Sequence, residues 1–451
     1  MPHLNPTPQG PMHRGLGTPA LRAWGLGLLL LATLAPSPST AESLLLTGAV
    51  VHPVSGPVLS PGQVWIRDGK IRQVGERVDA VDATPVDLTG LHLYPGLIAS
   101  TTTLGLTEIG QVRATRDIEE VGQFTPDVVS WIAINPDSEL LPVARANGIT
   151  HIVPVPQGGI VNGQSGLIVL DGWTAEQMVA RKPIALHVDW PELDLDLTPK
   201  DQFRDKSKWK SPEELAKERR RRLGELESFF NEGAAYARAR EAVPSTPFNP
   251  AWEALRPYLR RELPVVVKAD DLRQIRAAVT WAGTNHLRLV ISGGRDAAAA
   301  ASLLASNQIP VIFEHLFDRS IRDTEPYDML YRTPSLLGQA GVLFAISAGT
   351  GDMAETDVRN LPYHAAQAVA YGLPPDQALK AITLNPARIL GIDDRLGSIE
   401  PGKEATLVAS SGDLLDIRSS VRKLWIAGRA MSLETRHTRL YEKYRNRPAA
   451  R

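Results

Sequence analysis

From Leu44 to Val86 the chain alternates short apolar, β-branched runs with glycine and proline turns; the runs are residues 44–47, 48–51, 63–66 and 70–74. Asp68-Gly69, between the last two, is the pair that a two-residue type I′ hairpin requires, because both of its positions need positive φ. A small antiparallel sheet is predicted here. The same pattern returns at 405–410 and 421–426, with Ala427-Gly428 as a turn, so the two chain ends are expected to build one module.

Between the ends, continuous apolar runs at 150–155, 183–188, 264–267, 287–291, 309–313 and 342–346 read as strands buried on both faces. Segments of helical period, such as 271–284 and 295–307, fall between them. Repeated βα units with unbroken apolar strands predict a parallel sheet covered on both sides, and their number suits a (β/α)8 TIM barrel. Active groups should then gather at the C-terminal ends of the strands. The stretch 200–240 breaks the rhythm with dense charge, including Arg219, Arg220, Arg221 and Arg222. Opposite charges at i,i+3 and i,i+4 predict a long solvated helix inserted in a βα loop, an interaction patch or lid being the alternative. Residues 432–451 read as a basic surface helix that frays towards Pro448.

At 451 residues the chain exceeds one core, so a large domain and a smaller one are expected. Its 49 basic and 50 acidic residues leave a net charge of -1, which implies no nucleic-acid or membrane-surface partner; any basic patch must be local. His13, Arg14 and Arg22 precede an apolar run at 23–35 that is short for a bilayer span, and small residues Ser39 and Ala41 follow it. That order predicts a signal peptide over 1–41 cleaved before Glu42, hence a secreted or periplasmic protein with no integral membrane segment in the mature chain; a retained anchor is the alternative. The chain has no cysteine, so disulfides, thiolate chemistry and Cys-ligated metals are excluded.

Several motifs occur in a fixed order: Gly69-Lys70-Ile71, Leu93-Tyr94-Pro95-Gly96-Leu97-Ile98, Gly148-Ile149-Thr150, residues 378–387 ending Thr383-Leu384-Asn385-Pro386-Ala387, and Gly397-Ser398-Ile399-Glu400-Pro401-Gly402-Lys403. As a set they resemble the amidohydrolase superfamily, in its imidazolonepropionase-like branch. The resemblance implies a TIM barrel over 94–395, carrying the charged insertion at about 200–241, and a composite β-sandwich from 42–93 and 396–431. It also implies hydrolysis of C–N bonds in amides or cyclic amides by one or two divalent metals that activate water. The family's metal ligands are missing here. Its Asp-x-His-x-His after strand 1 corresponds to Ala99-Ser100-Thr101-Thr102-Thr103, its strand-5 His to Lys268, and its strand-6 Ile-Glu-His-Gly to Ile291-Ser292-Gly293-Gly294. Only the strand-8 aspartate has a counterpart, Asp352. No cofactor is therefore expected, a single divalent metal being the one exception left open, and the metal site reads as degenerate.

The substituted positions still belong at the barrel mouth. Asp352, Lys268 and His315 are the candidate catalytic groups; Thr101, Thr103, Glu108, Arg113, Asn162, Ser165, Glu314 and Arg359 are candidates for binding substrate. Lys268 is expected to pair with Asp352, either as an oxyanion or carboxylate anchor or simply to neutralise the cavity. The loop 157–166 offers backbone N–H groups and amides to a ligand, or is glycine-rich for tight turns alone. Arg113 suits a substrate carboxylate, with solvated loop charge the simpler reading. Histidines 151 and 187 fall inside strands, where core histidines outnumber ligands. Two function classes remain: an exported hydrolase of C–N bonds with an altered site, or a metal-free pseudoenzyme that binds a small molecule in the pocket. A homo-oligomer is compatible with either.

Overall fold

The computed structural model describes residues 43–193 and 196–447, and the expected signal peptide lies outside them. The chain begins β1 (Ser43–Val51), β2 (Leu59–Arg67), β3 (Lys70–Gly75), β4 (Thr84–Asp87) and β5 (His92–Pro95). β2 and β3 are joined through Asp68 and Gly69 at φ 56 and 72, the I′ geometry that the sequence predicts. The barrel follows with β6 (Leu97–Thr102), β7 (Ile149–Pro154), β8 (Val161–Val169), β9 (Val179–Asp189), β10 (Val265–Ala269), β11 (Leu289–Gly293), β12 (Val311–Phe313) and β13 (Phe344–Ile346). The chain returns to the first sheet with β14 (Leu407–Ser410), β15 (Val421–Ile426) and β16 (Arg429–Ala430), where β14 pairs with β5.

The two ends thus share one sheet, ordered β16-β15-β14-β5-β1-β2-β3 with β4 on β1. Its core is Leu46, Val64, Ile66, Ile71, Leu93, Leu407 and Trp425. The Gly397–Lys403 motif serves this sheet: Lys403 is buried with its Nζ 2.6 Å from Ser398 Oγ and 2.9 Å from Glu400, and its carbonyl accepts from Ile71 N–H. The barrel sheet runs in sequence order from β6 to β13. It nearly closes: Ser347, just past β13, accepts from Thr101 N–H at 3.2 Å and donates to Thr101 O at 2.7 Å.

Two sequence expectations change. The barrel is not wholly parallel, because β8 runs antiparallel to both β7 and β9. Most of the expected 157–166 loop is therefore strand. Its glycines have a packing role: a Cβ on Gly163, at φ +116, would run into Val128, whose carbonyl accepts from Gln164 N–H. The charged insertion is also more than a solvated helix. Its helix, Pro212–Ala242, opens with a Ser211/Glu214 capping box and carries the expected Arg221–Glu225 and Arg222–Glu218 pairs. It nevertheless buries Leu226, Phe230 and Tyr236, with Phe230 edge-on to Trp281 at 4.8 Å. An apolar stripe beneath the charges anchors it to the barrel.

Gly96 sets the crossing from one sheet to the other. Its N–H donates to Thr406 O at 2.9 Å, and a Cβ there would overlap the Thr150 hydroxyl and the Thr150 and Thr406 methyls. Gly96→Ala is expected to cost about 2–3 kcal/mol of stability by overpacking, which urea unfolding measures; a loss below about 0.5 kcal/mol would show that the junction can yield.

Candidate active site at the barrel mouth

Parallel strands that end together place their last side chains together. Asp189 closes β9 and pairs in register with Lys268, near the end of β10; Glu314 follows β12 directly, and Asp270 follows β10. Two cavities meet here, of about 700 Å³ and 510 Å³, and both are lined by Lys268 and Asp270. The larger continues past Glu314, His315, Asp352, Arg359 and His364. The smaller passes Gly158, Gly159, Asp189, Glu192 and Arg222, so the inserted helix does reach the mouth.

Lys268 is the centre of the charge arrangement. Burial opposes its charge, but Glu314, Asp189 and Asp270 outweigh that and hold its pKa above the usual lysine value. One ammonium does not compensate three carboxyls, so burial raises the pKa of both Glu314 and Asp189 despite it. Glu314 is further fixed by Thr101, whose hydroxyl donates to it at 2.6 Å. Asp270 behaves differently. Burial would raise it too, but the bond and charge of His315, together with Lys268, hold it below the usual range.

His315 lies between two carboxylates: Nε2 is 2.5 Å from Asp270 and Nδ1 2.7 Å from Asp318. Burial works against its charge, yet these two bonds push its pKa up to about 9. These bonds favour the imidazolium, the form in which both nitrogens donate. Arg295 completes the set with a 3.0 Å contact to Asp318.

The other expected site residues divide. Thr103, directly after β6, is buried with its hydroxyl unpartnered, and it lines neither cavity. Asn162 sits beside Asp189 and accepts from Gly159 N–H at 2.6 Å. Arg359 lines the larger cavity. Ser165 is committed to His187, 2.7 Å away inside the barrel wall. Glu108 accepts from Glu139 N–H at 3.2 Å and lines neither cavity; Arg113 sits exposed on a short 3-10 turn, Arg113–Thr115. The expected Lys268–Asp352 pair gives way to Glu314, Asp189 and Asp270. Asp352 stands exposed on the loop after β13, while the three carboxyls project from the strand ends around Lys268. Histidines 151 and 187 are core residues, kept neutral by burial with pKa values near 3.

Asp189 and Asp270 join the site although neither stands at a ligand position that the family resemblance implies. The signal was present: Asp189 ends an apolar strand, and Asp270 follows Lys268 by two residues. His364, buried with Nε2 2.8 Å from Asp357, also lines the larger cavity.

The donor set does not fit a divalent metal. Metal ligation needs imidazole lone pairs and carboxylates free to converge, whereas both nitrogens of His315 are engaged by Asp270 and Asp318, and Lys268 lies among Glu314, Asp189 and Asp270. Gly293 sits at φ +79, and a Cβ there would collide with the Asp270 carboxylate. Among the described residues, no three His, Asp or Glu side chains are arranged to hold a metal ion.

Residues 334–431 match the amidohydrolase family model. An N-acetylgalactosamine-6-phosphate deacetylase of Escherichia coli O157:H7 is 43% identical over 61 residues, 14% of this chain and 15% of that one. The chain spans about a third or less of the curated relatives it matches. Whole-chain similarity comes from solved structures. An amidohydrolase from Thermotoga maritima MSB8 superposes with a TM-score of 0.75 at 28% identity, covering 86% of this chain and 99% of that one. An adenosine deaminase from Xanthomonas campestris with bound zinc gives 0.50 at 18% identity, covering 90% and 97%, and shares the fold.

Proposed function

We propose that this chain, with an amidohydrolase fold throughout and amidohydrolase-family sequence over 334–431, is an exported protein whose barrel mouth binds a small polar molecule without a divalent metal. One observation carries the reading: Asp270 fills the space that a side chain at Gly293 would need, and His315 and Lys268 hold it there. The ligand positions have been rebuilt into an organic charge network. Lys268 then takes over the electrostatic role of a metal towards a carbonyl or carboxylate oxygen, with Arg359 and Arg222 further out in the two cavities.

A second reading, hydrolysis of a C–N bond, is favoured by the raised pKa values of Asp189 and Glu314 beside Lys268. A carboxyl so raised is a stronger base when ionised and an available acid when protonated. In that reaction the Lys268 ammonium would polarise the amide carbonyl while a carboxylate takes a proton from the attacking water. The C–N bond would then break as that proton passes to the leaving nitrogen.

Elemental analysis tests the metal-free reading. Protein from zinc- and manganese-supplemented cultures is expected to carry far less than one metal per chain after dialysis, and chelator should leave its melting temperature unchanged. A retained stoichiometric metal refutes the proposal. Titration with N-acyl amino acids and lactams, followed by product analysis, separates binding from turnover: bound ligand released intact supports the first reading, and free amine the second.

A further inference from the structure

The helix Arg436–Arg445 is amphipathic in the wrong sense for a helix that packs on its own protein. At ~100° per residue, Leu440, Tyr444, His437 and Tyr441 fall within about 100° of one another. Leu440, Tyr441 and Tyr444 are 37%, 62% and 60% exposed, and the helix buries no residue. What ties it to the body lies on another side: Arg439 donates to both carboxylate oxygens of Glu139, at 2.9 and 3.0 Å. The apolar arc therefore faces solvent. Arg436 and Lys443 border one edge of it and Arg445 the other.

Charge identifies the occupant. Residues 436–447 hold Arg436, Arg439, Lys443, Arg445 and Arg447 against a single acid, Glu442, in a chain whose net charge is only -1. Five cations against one acid beside an exposed apolar arc are complementary to an anionic bilayer surface. Tyrosines belong at the level of the headgroups, with ring in the apolar layer and hydroxyl in water. Cations beside such an apolar face are the signature of a helix that lies in the interface. Among the described residues no helix is long and apolar enough to cross a membrane, so any attachment through this helix is peripheral.

We propose that the Arg436–Arg445 helix docks the protein on anionic phospholipid, with Leu440, Tyr441 and Tyr444 in the interfacial layer and Arg436, Lys443 and Arg445 on the headgroups. The proposal is independent of the chemistry at the barrel mouth. Co-sedimentation of the purified chain with vesicles of phosphatidylcholine alone, or with added phosphatidylglycerol, tests it. Binding is expected only with phosphatidylglycerol, weakening as salt rises. Joint replacement Arg436→Gln, Lys443→Gln and Arg445→Gln should reduce it roughly 100-fold, about fivefold per cation. Tyr441→Ser with Tyr444→Ser should reduce it as well, although the headgroup contacts remain. Circular dichroism and the melting temperature of each variant confirm folding, which exposed positions should not disturb. Equal binding to both vesicle types, or none to either, overturns the proposal. So does concentration-dependent dimerisation that the tyrosine variant abolishes, because the arc would then be covered by a second copy.

Discussion

Replacing Lys268 with methionine is expected to lower the unfolding free energy at pH 7 by about 3–5 kcal/mol, because it leaves buried carboxyls without their cation. Methionine keeps most of the volume, so the loss reports charge rather than a cavity. The loss should shrink as pH falls, since Glu314 and Asp189, whose pKa values are already raised by burial, become neutral once protonated. Urea unfolding at pH 7 and pH 5 reads both effects. Glu314→Gln in the same background should recover part of the loss, because one uncompensated charge disappears with it. If Lys268→Met costs under about 1 kcal/mol, or if its cost does not change with pH, the ammonium is not what holds the mouth together.

This expectation separates what was legible in the sequence from what was not. Chemically distinctive local rules came through. Asp68-Gly69 made its hairpin, and the apolar runs became barrel strands. Thr101, Lys268, Glu314 and His315 reached the mouth because strand ends converge in any barrel, and Arg359 lines it from the 3-10 turn Val358–Asn360. Pairing was less legible. The Lys268–Asp352 pair assumed that a loop aspartate after β13 would reach inward, but the carboxyls nearest in space come from the ends of β9, β10 and β12. Which carboxyl meets which cation depends on register, such as Lys268 opposite Asp189. A list of motifs does not carry register. The antiparallel β8 was hidden for a related reason: its glycines and amides have turn composition, and only packing, with Gln164 bonded to Tyr258 and Ser165 to His187, makes it a strand.

The alkaline limb of stability should be governed by His315. Its folded pKa of about 9 lies above the ordinary 6.5, so the folded protein holds that proton more tightly than the unfolded chain does. A raised histidine contributes stability that is fully present below pH 6.5 and is lost as pH rises through 9. The difference corresponds to about 3 kcal/mol at most. Asp270 and Asp318 have the opposite sign: their depressed pKa values contribute above the normal carboxylate range and lose that contribution in acid. Both contributions to stability are therefore fully present only between the normal carboxylate range and pH 6.5. His315→Asn should remove most of the loss of unfolding free energy between pH 6.5 and 9.5, leaving a lower but flatter profile. The same variant frees Asp270, whose hold on the space beside Gly293 depends on it. Zinc added to His315→Asn but not to the parent chain should then raise the melting temperature only if Asp270, Asp189 and Glu314 can converge without the imidazolium. A parent chain with no alkaline loss at all would mean that His315 is neutral, which would return it to the set of possible metal ligands.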